Sequence, residues 1–268
     1  MSRWYEWQEA PAADYAVLGD PISHSRSPAM HMAAYQALDL DLSYQAIRVD
    51  EESFQKAVMH LNGLGYKGLN CTIPLKELAA AWVEEADEES SIIGAINTLS
   101  LSDRKGTNTD APAMLNVVES NGVERGSRVL ILGAGGTGRA ALVAFCRAGY
   151  QVSAWNRTAE KLDALRDELS LQFTTIPALF TGGYDLVINT TSSTLAGEPL
   201  GVSFTEGSGV KLAFDVGYGK PSQFLAEAAE AGIPTLDGLP LLVEQGALAL
   251  EWWLGKSAPR KDMLAAVQ

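Results

Sequence analysis

Residues 128–138, Arg128-Val129-Leu130-Ile131-Leu132-Gly133-Ala134-Gly135-Gly136-Thr137-Gly138, decide the fold. The run RVLIL reads as a short buried strand, because a parallel strand covered on both faces is almost continuously apolar. It leads directly into G-x-G-x-x-G, and residues 137–148 follow with a helical pattern. In that strand–turn–helix setting the glycines permit a tight turn and close backbone approach to a pyrophosphate. The helix N-terminus adds N–H donors and the positive end of its dipole. The alternative is a glycine-rich helix entry with no ligand.

The next strand, Val152–Trp155, selects the dinucleotide. An NAD site carries Asp or Glu near that strand's end, bonded to the ribose 2′-hydroxyl. Here the end reads Trp155-Asn156-Arg157-Thr158. There is no carboxylate, and a guanidinium is available for a 2′-phosphate. The reading therefore favours NADP over NAD. Thr158 is expected to cap the helix over 159–169 as well, since capping and phosphate binding are compatible.

Outward from this centre, strand-like and helical patterns alternate in both directions. Upstream, strands are expected at 15–19, 42–49 and 67–73, and helices at 27–38, 51–61 and 75–85. Ser27 is the expected N-cap of the first helix, with Pro28 behind it. Downstream, strands are expected at 185–189 and 212–216, and helices at 222–231 and 239–254. Alternation of this kind predicts an α/β fold with parallel sheets. The acidic run Glu84-Glu85 and Asp87-Glu88-Glu89 reads as a solvated face.

With 268 residues the chain suits two domains. The expected division is residues 1–110 plus 239–268 as an N-terminal α/β substrate and catalytic domain, and residues 111–238 as a Rossmann-type cofactor domain. The helix at 239–254 would return to the first domain. A net charge of −13 argues against a nucleic-acid partner, which needs a basic face. No apolar run is long enough to span a membrane, and the first thirteen residues carry no signal-peptide pattern. Cys71 and Cys146, the only cysteines, read as reduced core thiols of a cytoplasmic protein. Three histidines and no Cys/His cluster make a metal site improbable.

Three polar clusters fall at strand ends in the first half, where open parallel sheets bind ligands. They are Gly19-Asp20-Pro21-Ile22-Ser23-His24-Ser25-Arg26-Ser27-Pro28, then Asn70-Cys71-Thr72-Ile73-Pro74-Leu75-Lys76, then Asn97-Thr98 with Asn108-Thr109-Asp110. The Ser25 and Ser27 hydroxyls at a helix entry suit a carboxylate; capping explains Ser27 better than Ser25. Lys76 in a first helical turn opposes the dipole, which points to a role beyond surface charge.

On these motifs the sequence resembles the shikimate dehydrogenase family. The matching stretches are VLGDPISHSRSPAMH (17–31), GLNCTIPLK (68–76), GAINT (94–98), GTNTD (106–110), GAGGTGRA (133–140), NRT (156–158), INTTS (188–192), FDVGY (214–218) and DGLPLLVEQ (237–245). The resemblance implies reversible NADPH-dependent reduction of 3-dehydroshikimate to shikimate, in the route to chorismate and the aromatic amino acids. It implies that Ser25 and Ser27 hold the substrate carboxylate. Thr72, Asn97 and Gln245 would take the ring hydroxyls, with Tyr218 nearby. Lys76 and Asp110 become the catalytic pair. Gly133, Ala134, Gly135, Gly136 and Thr137 would bind the pyrophosphate, and Asn156, Arg157 and Thr158 the adenosine phosphate. Thr190, Val216 and Gly238 would line the nicotinamide side.

The chain departs from the family pattern at Met32, at Thr190-Thr191 and Leu195-Ala196-Gly197, at Val216 and Gly217, and at Lys220-Pro221-Ser222-Gln223. The proposed carboxylate and Lys/Asp residues are intact. Rival readings are a quinate/shikimate or aminoshikimate dehydrogenase, a methylenetetrahydrofolate dehydrogenase, and a non-catalytic NADP-binding regulator. The last has no need of both Lys76 and Asp110. The expected partners are a small-molecule substrate and NADP, in a monomer or homodimer.

Overall fold

Buried runs of Leu, Val, Ile and Ala at 128–132, 186–189 and 212–215 have only one way to satisfy their backbone groups while staying dry, which is to pair with one another. In the computed structural model, which describes residues 3–179, 181–197 and 199–268, they form the centre of a parallel sheet. The chain divides into two compact units. One takes in the chain up to Thr109 together with Leu242–Gln268, and the other is Asp110–Leu241.

The first unit carries strands β1 (Trp4–Glu6), β2 (Tyr15–Gly19), β3 (Tyr44–Arg48), β4 (Gly68–Cys71), β5 (Glu85–Ala86), β6 (Thr98–Ser100) and β7 (Lys105–Thr107). Their order is β1-β3-β2-β4-β6-β7-β5. Helices α1 (Ser27–Ala37), α2 (Phe54–Gly63), α3 (Lys76–Trp82) and α4 (Glu88–Ile93) connect them. Strands β1 to β4 are parallel, as the alternation predicts. β6 runs antiparallel to both β4 and β7, so this sheet is mixed. The reason is local: a four-residue connection at 101–104, with Arg104 at φ +52°, is too short for a parallel crossover. The core beneath gathers Leu18, Ile47, Phe54, Leu61, Leu69 and Leu75, all fully buried or nearly so.

The second unit holds α5 (Asp110–Ser120), β8 (Arg128–Leu132), α6 (Gly136–Arg147), β9 (Gln151–Trp155), α7 (Glu160–Leu169), β10 (Thr174–Thr175), β11 (Leu186–Asn189), α8 (Ser193–Ala196), β12 (Leu212–Asp215), α9 (Gln223–Glu230) and β13 (Thr235–Leu236). The strand order is β10-β9-β8-β11-β12-β13, and every pair is parallel. Counted from β8 this is 3-2-1-4-5-6, the order of the dinucleotide-binding fold, with its switch point between β8 and β11.

Helix α10 (Leu239–Leu254) begins in the second unit, and from Leu242 onward it belongs to the first. Near its end Trp253 packs at a tilt against Tyr15 with ring centroids 4.6 Å apart, and its indole N–H donates to the Leu99 carbonyl at 2.9 Å. The expected return of this helix is thus what the structure has. A last helix, α11 (Arg260–Ala265), packs against α1.

Two local expectations are corrected. The helix expected over 75–85 stops at Trp82, and the acidic run behind it forms β5 and the start of α4. Asp87 also serves as the N-cap of α4, accepting from the Ser90 N–H at 2.8 Å, while the run stays solvated as expected, with Glu84, Glu85, Asp87 and Glu88 exposed. Thr158 caps nothing with its side chain, because α7 starts two residues later, behind Ala159.

Candidate active site

β2 and β4 are adjacent and parallel, so the loops leaving them emerge at one edge of the sheet. They touch there. A side chain on Gly19 would place its Cβ 2.4 Å from Thr72 Cγ2, so only glycine admits this approach. The Asp20 N–H donates to the Ile73 carbonyl at 3.0 Å, beside cis peptide bonds at Asp20-Pro21 and Ile73-Pro74. β6 is antiparallel and therefore starts at the same edge, which brings Asn97 there. β7 ends there, which brings Asn108 and Thr109.

The capping at α1 is the reverse of that expected. Ser27 is already helical and makes no cap with its side chain. Ser25 Oγ accepts from the Ser27 N–H at 3.3 Å. Both serines are buried. The intervening Arg26 turns away, its guanidinium donating to the Val267 carbonyl and tying the serine loop to the segment after α11.

Asn97, 2% exposed, is the hub of this edge. Its Oδ1 accepts from the Thr109 N–H at 2.9 Å, and its Nδ2 donates to Thr109 Oγ1 at 3.0 Å. A longer contact of 3.5 Å runs from Nδ2 to Gln245 Oε1 on α10. Behind it, Tyr44 donates to Asn70 Oδ1 at 2.6 Å, and Asn70 Nδ2 donates to the Asn97 carbonyl and to Thr98 Oγ1, both at 3.0 Å. Lys76 opens α3, half-buried, and its carbonyl accepts from the Ile96 N–H at 2.9 Å, one residue before Asn97. Burial pushes the neighbouring Cys71 thiol up to about 12, with the Lys76 ammonium pulling the other way. Ser25, Ser27, Thr72, Lys76, Asn97 and Gln245 therefore all lie in the first unit. Asp110 follows Thr109 directly in the chain but opens α5 of the second unit, where it is buried at the helix N-terminus.

In the second unit, the glycine loop sits at the switch point. Gly133 has φ +112°, and a Cβ there would lie 2.7 Å from Thr190 Oγ1, beyond the end of β11. A Cβ on Gly138 would strike the Gly133 carbonyl oxygen at 2.6 Å, while one on Gly135 meets nothing within 4 Å. The loop is thus closed on its protein side and open at Gly135, as a cradle for a pyrophosphate must be. The residues present fit a bound dinucleotide. Asn156, Arg157 and Thr158 follow β9. Asn156 Nδ2 donates to the Thr158 carbonyl at 2.8 Å, fixing the turn, and Arg157 and Thr158 are exposed. Thr190, Val216 and Gly238 leave β11, β12 and β13 at this same edge. The Val216 N–H donates to the Asn189 carbonyl at 3.0 Å, and the Gly238 N–H to the Gly217 carbonyl at 2.9 Å. Tyr218 stands two residues beyond Val216 in the same loop. The sequence reading missed the network behind this loop, centred on Asp215; its signal was a carboxylate ending an otherwise apolar strand, LAFD.

A Rossmann-ordered unit with a glycine cradle, joined to a mixed-sheet unit whose edge collects amides, hydroxyls and an ammonium, defines an α/β nicotinamide-dependent oxidoreductase. The chain is 40% identical over 262 residues to the NADP(+) shikimate dehydrogenase of Methanothrix thermoacetophila, covering 95% of this chain and 96% of that one. It belongs to the shikimate dehydrogenase family. Family models agree: the shikimate dehydrogenase substrate binding domain matches residues 17–99, shikimate / quinate 5-dehydrogenase matches 118–197, and the shikimate 5′-dehydrogenase C-terminal domain matches 238–268. The solved shikimate 5-dehydrogenase of Thermus thermophilus, in complex with NADP(H) and shikimate, is similar with TM-score 0.85 and 35% identity, covering 95% of this chain and 98% of that one. A 5-ketofructose reductase of Gluconobacter is also similar, with TM-score 0.80 and 28% identity over 96% of this chain and 98% of that one.

Proposed function

We propose that the protein catalyses the reversible reduction of 3-dehydroshikimate to shikimate with NADPH, in the route to chorismate and the aromatic amino acids. The observation that carries this reading is the edge built around Asn97, where neutral donors and acceptors meet from β2, β4, β6 and α10 and Lys76 opens α3 with its carbonyl bonded to the Ile96 N–H. A polyhydroxylated carboxylate needs that set. Ser25 and Ser27 take the carboxylate, and Thr72, Asn97 and Gln245 take the ring hydroxyls with Tyr218.

NADPH supplies the hydride when bound. Gly133 to Thr137 hold its pyrophosphate, Asn156 to Thr158 its adenosine phosphate, and Thr190, Val216 and Gly238 its nicotinamide side. Hydride arriving at a carbonyl carbon leaves negative charge on the oxygen. Lys76 stabilises that charge and delivers the proton, and Asp110 orients Lys76 and shares the ring hydroxyls. The two free thiols suit a reducing compartment, the cytoplasm, and we take the protein as a monomer or homodimer.

The test is a steady-state assay of shikimate with NADP, followed at the nicotinamide absorbance, with Lys76→Ala as the informative variant. Turnover should fall by about 10²-fold or more while shikimate affinity changes far less. A Lys76→Ala enzyme of normal turnover would remove the mechanism. The match of residues 118–197 to a shikimate / quinate family favours a second arm with quinate. Equal kcat/KM for quinate would make the protein a dual-substrate enzyme.

A further inference from the structure

Asp215 ends β12 with 0% exposure. The residues before it, Leu212, Ala213 and Phe214, are what a buried strand requires; a carboxylate is not. Among the described residues it forms no ion pair. Four neutral donors surround it instead. Oδ1 accepts from the Gly217 N–H at 2.8 Å. Oδ2 accepts from Asn189 Nδ2 at 3.1 Å, Thr194 Oγ1 at 2.6 Å and Ser222 Oγ at 2.5 Å.

Each donor lies on a different piece of chain. Asn189 ends β11, and its Oδ1 accepts from the Thr191 N–H at 3.0 Å and the Thr191 hydroxyl at 2.7 Å, fixing the turn that carries Thr190. Thr194 lies in α8. Gly217 lies between Val216 and Tyr218, and its carbonyl accepts from the Gly238 N–H. Ser222 is the N-cap of α9, accepting from the Leu225 N–H at 3.2 Å. One carboxylate therefore ties together the segments bearing Thr190, Val216, Tyr218 and Gly238. An acceptor serving only the α9 cap would need one of these bonds, not four.

From this geometry we infer that Asp215 is a positioning residue for the cofactor's nicotinamide half, holding the 190–194 and 216–218 loops in register without touching the cofactor. The inference rests on the NADP reading above. A carboxyl group suits the task because its two oxygens can accept several bonds at once.

The experiment uses the full chain and two probes. NADPH reports the whole cofactor site, and 2′,5′-ADP, which has the phosphorylated adenosine and no nicotinamide, reports only the other half. Asp215→Asn should bind 2′,5′-ADP like the unchanged protein, bind NADPH roughly tenfold more weakly, and lose turnover with shikimate. Ser222→Ala, which removes one donor and leaves the carboxylate, should shift NADPH in the same direction by roughly two- to fivefold. It decides the matter if Asp215→Asn does not fold. Parallel weakening of both probes, or unchanged NADPH binding and turnover, would overturn the inference. Failure of the unchanged protein to bind either probe would overturn the cofactor reading, and this inference with it.

Discussion

His31 follows the serine loop by four residues, fully buried, its ring stacked on Tyr44 at 4.2 Å between centroids. Among the described residues neither ring nitrogen has a hydrogen-bond partner, and burial pushes the imidazole down to about 3. The unfolded chain takes up a proton near the ordinary value of 6.5, which the folded ring refuses. Stability from this group is therefore complete above that value and lost as pH falls toward about 3, at about 1.4 kcal/mol per pH unit. His31→Phe keeps the stacking and removes the titration. Urea midpoints from pH 7 to 4 should fall less steeply in the variant, and parallel slopes would count against this account. At the cofactor edge, Arg157 offers a sharper test of selectivity. Arg157→Ala should raise the KM for NADP by roughly tenfold or more and leave NAD nearly unchanged, since only NADP carries the 2′-phosphate. Equal effects on both cofactors would contradict the assignment.

α4 shows what a short element depends on. Asp87 accepts from the Ser90 N–H and hydroxyl and from the Thr107 hydroxyl at 2.7–2.8 Å. Burial alone would raise its carboxyl, but these bonds outweigh it and hold it below the ordinary value. Asp87→Ala should cost roughly 0.5–2 kcal/mol at pH 7. The loss should shrink below pH 3.8, the unfolded value, as the carboxylate protonates. A pH-independent loss in thermal unfolding would argue for packing instead. This cap also marks where the sequence stops being legible. β2, β8, β11 and β12 could be read because they are central, and their apolar runs leave no other placement. β5, β6, β7, β10 and β13 are two or three residues long and pair at edges or in a hairpin, so no periodicity can develop. The site divides in the same way. Lys76, Asn97 and the glycine loop carry their chemistry in local motifs. The partners of Asp215, by contrast, come from Asn189, Thr194 and Ser222, and nothing in linear order announces that they meet. The reversal of roles between Ser25 and Ser27 was hidden for a related reason, since helix onset depends on backbone angles that two alternating serines leave open.

At the scale of the molecule, each unit holds one free cysteine, Cys71 in the first and Cys146 in the second. Burial pushes both thiols up, to about 12 and about 11, so neither is a ready nucleophile in the folded protein. Labelling by a thiol reagent in rising urea should therefore track the opening of each unit separately. NADP at about 100 times its dissociation constant stabilises the state it binds by about 2.7 kcal/mol. It should therefore protect Cys146 more than Cys71. Equal protection would show that the two units open as one. The first unit is also split in sequence, its sheet complete by Thr107 but its closing helix arriving only after Leu242. During synthesis, the contiguous second unit can fold as soon as it leaves the ribosome. The first must wait with the Leu99 carbonyl and the ring of Tyr15 uncovered until Trp253 emerges. The half encoded first is therefore the last to be completed, and a chain that stops short of Trp253 leaves Tyr15 and the Leu99 carbonyl without their cover.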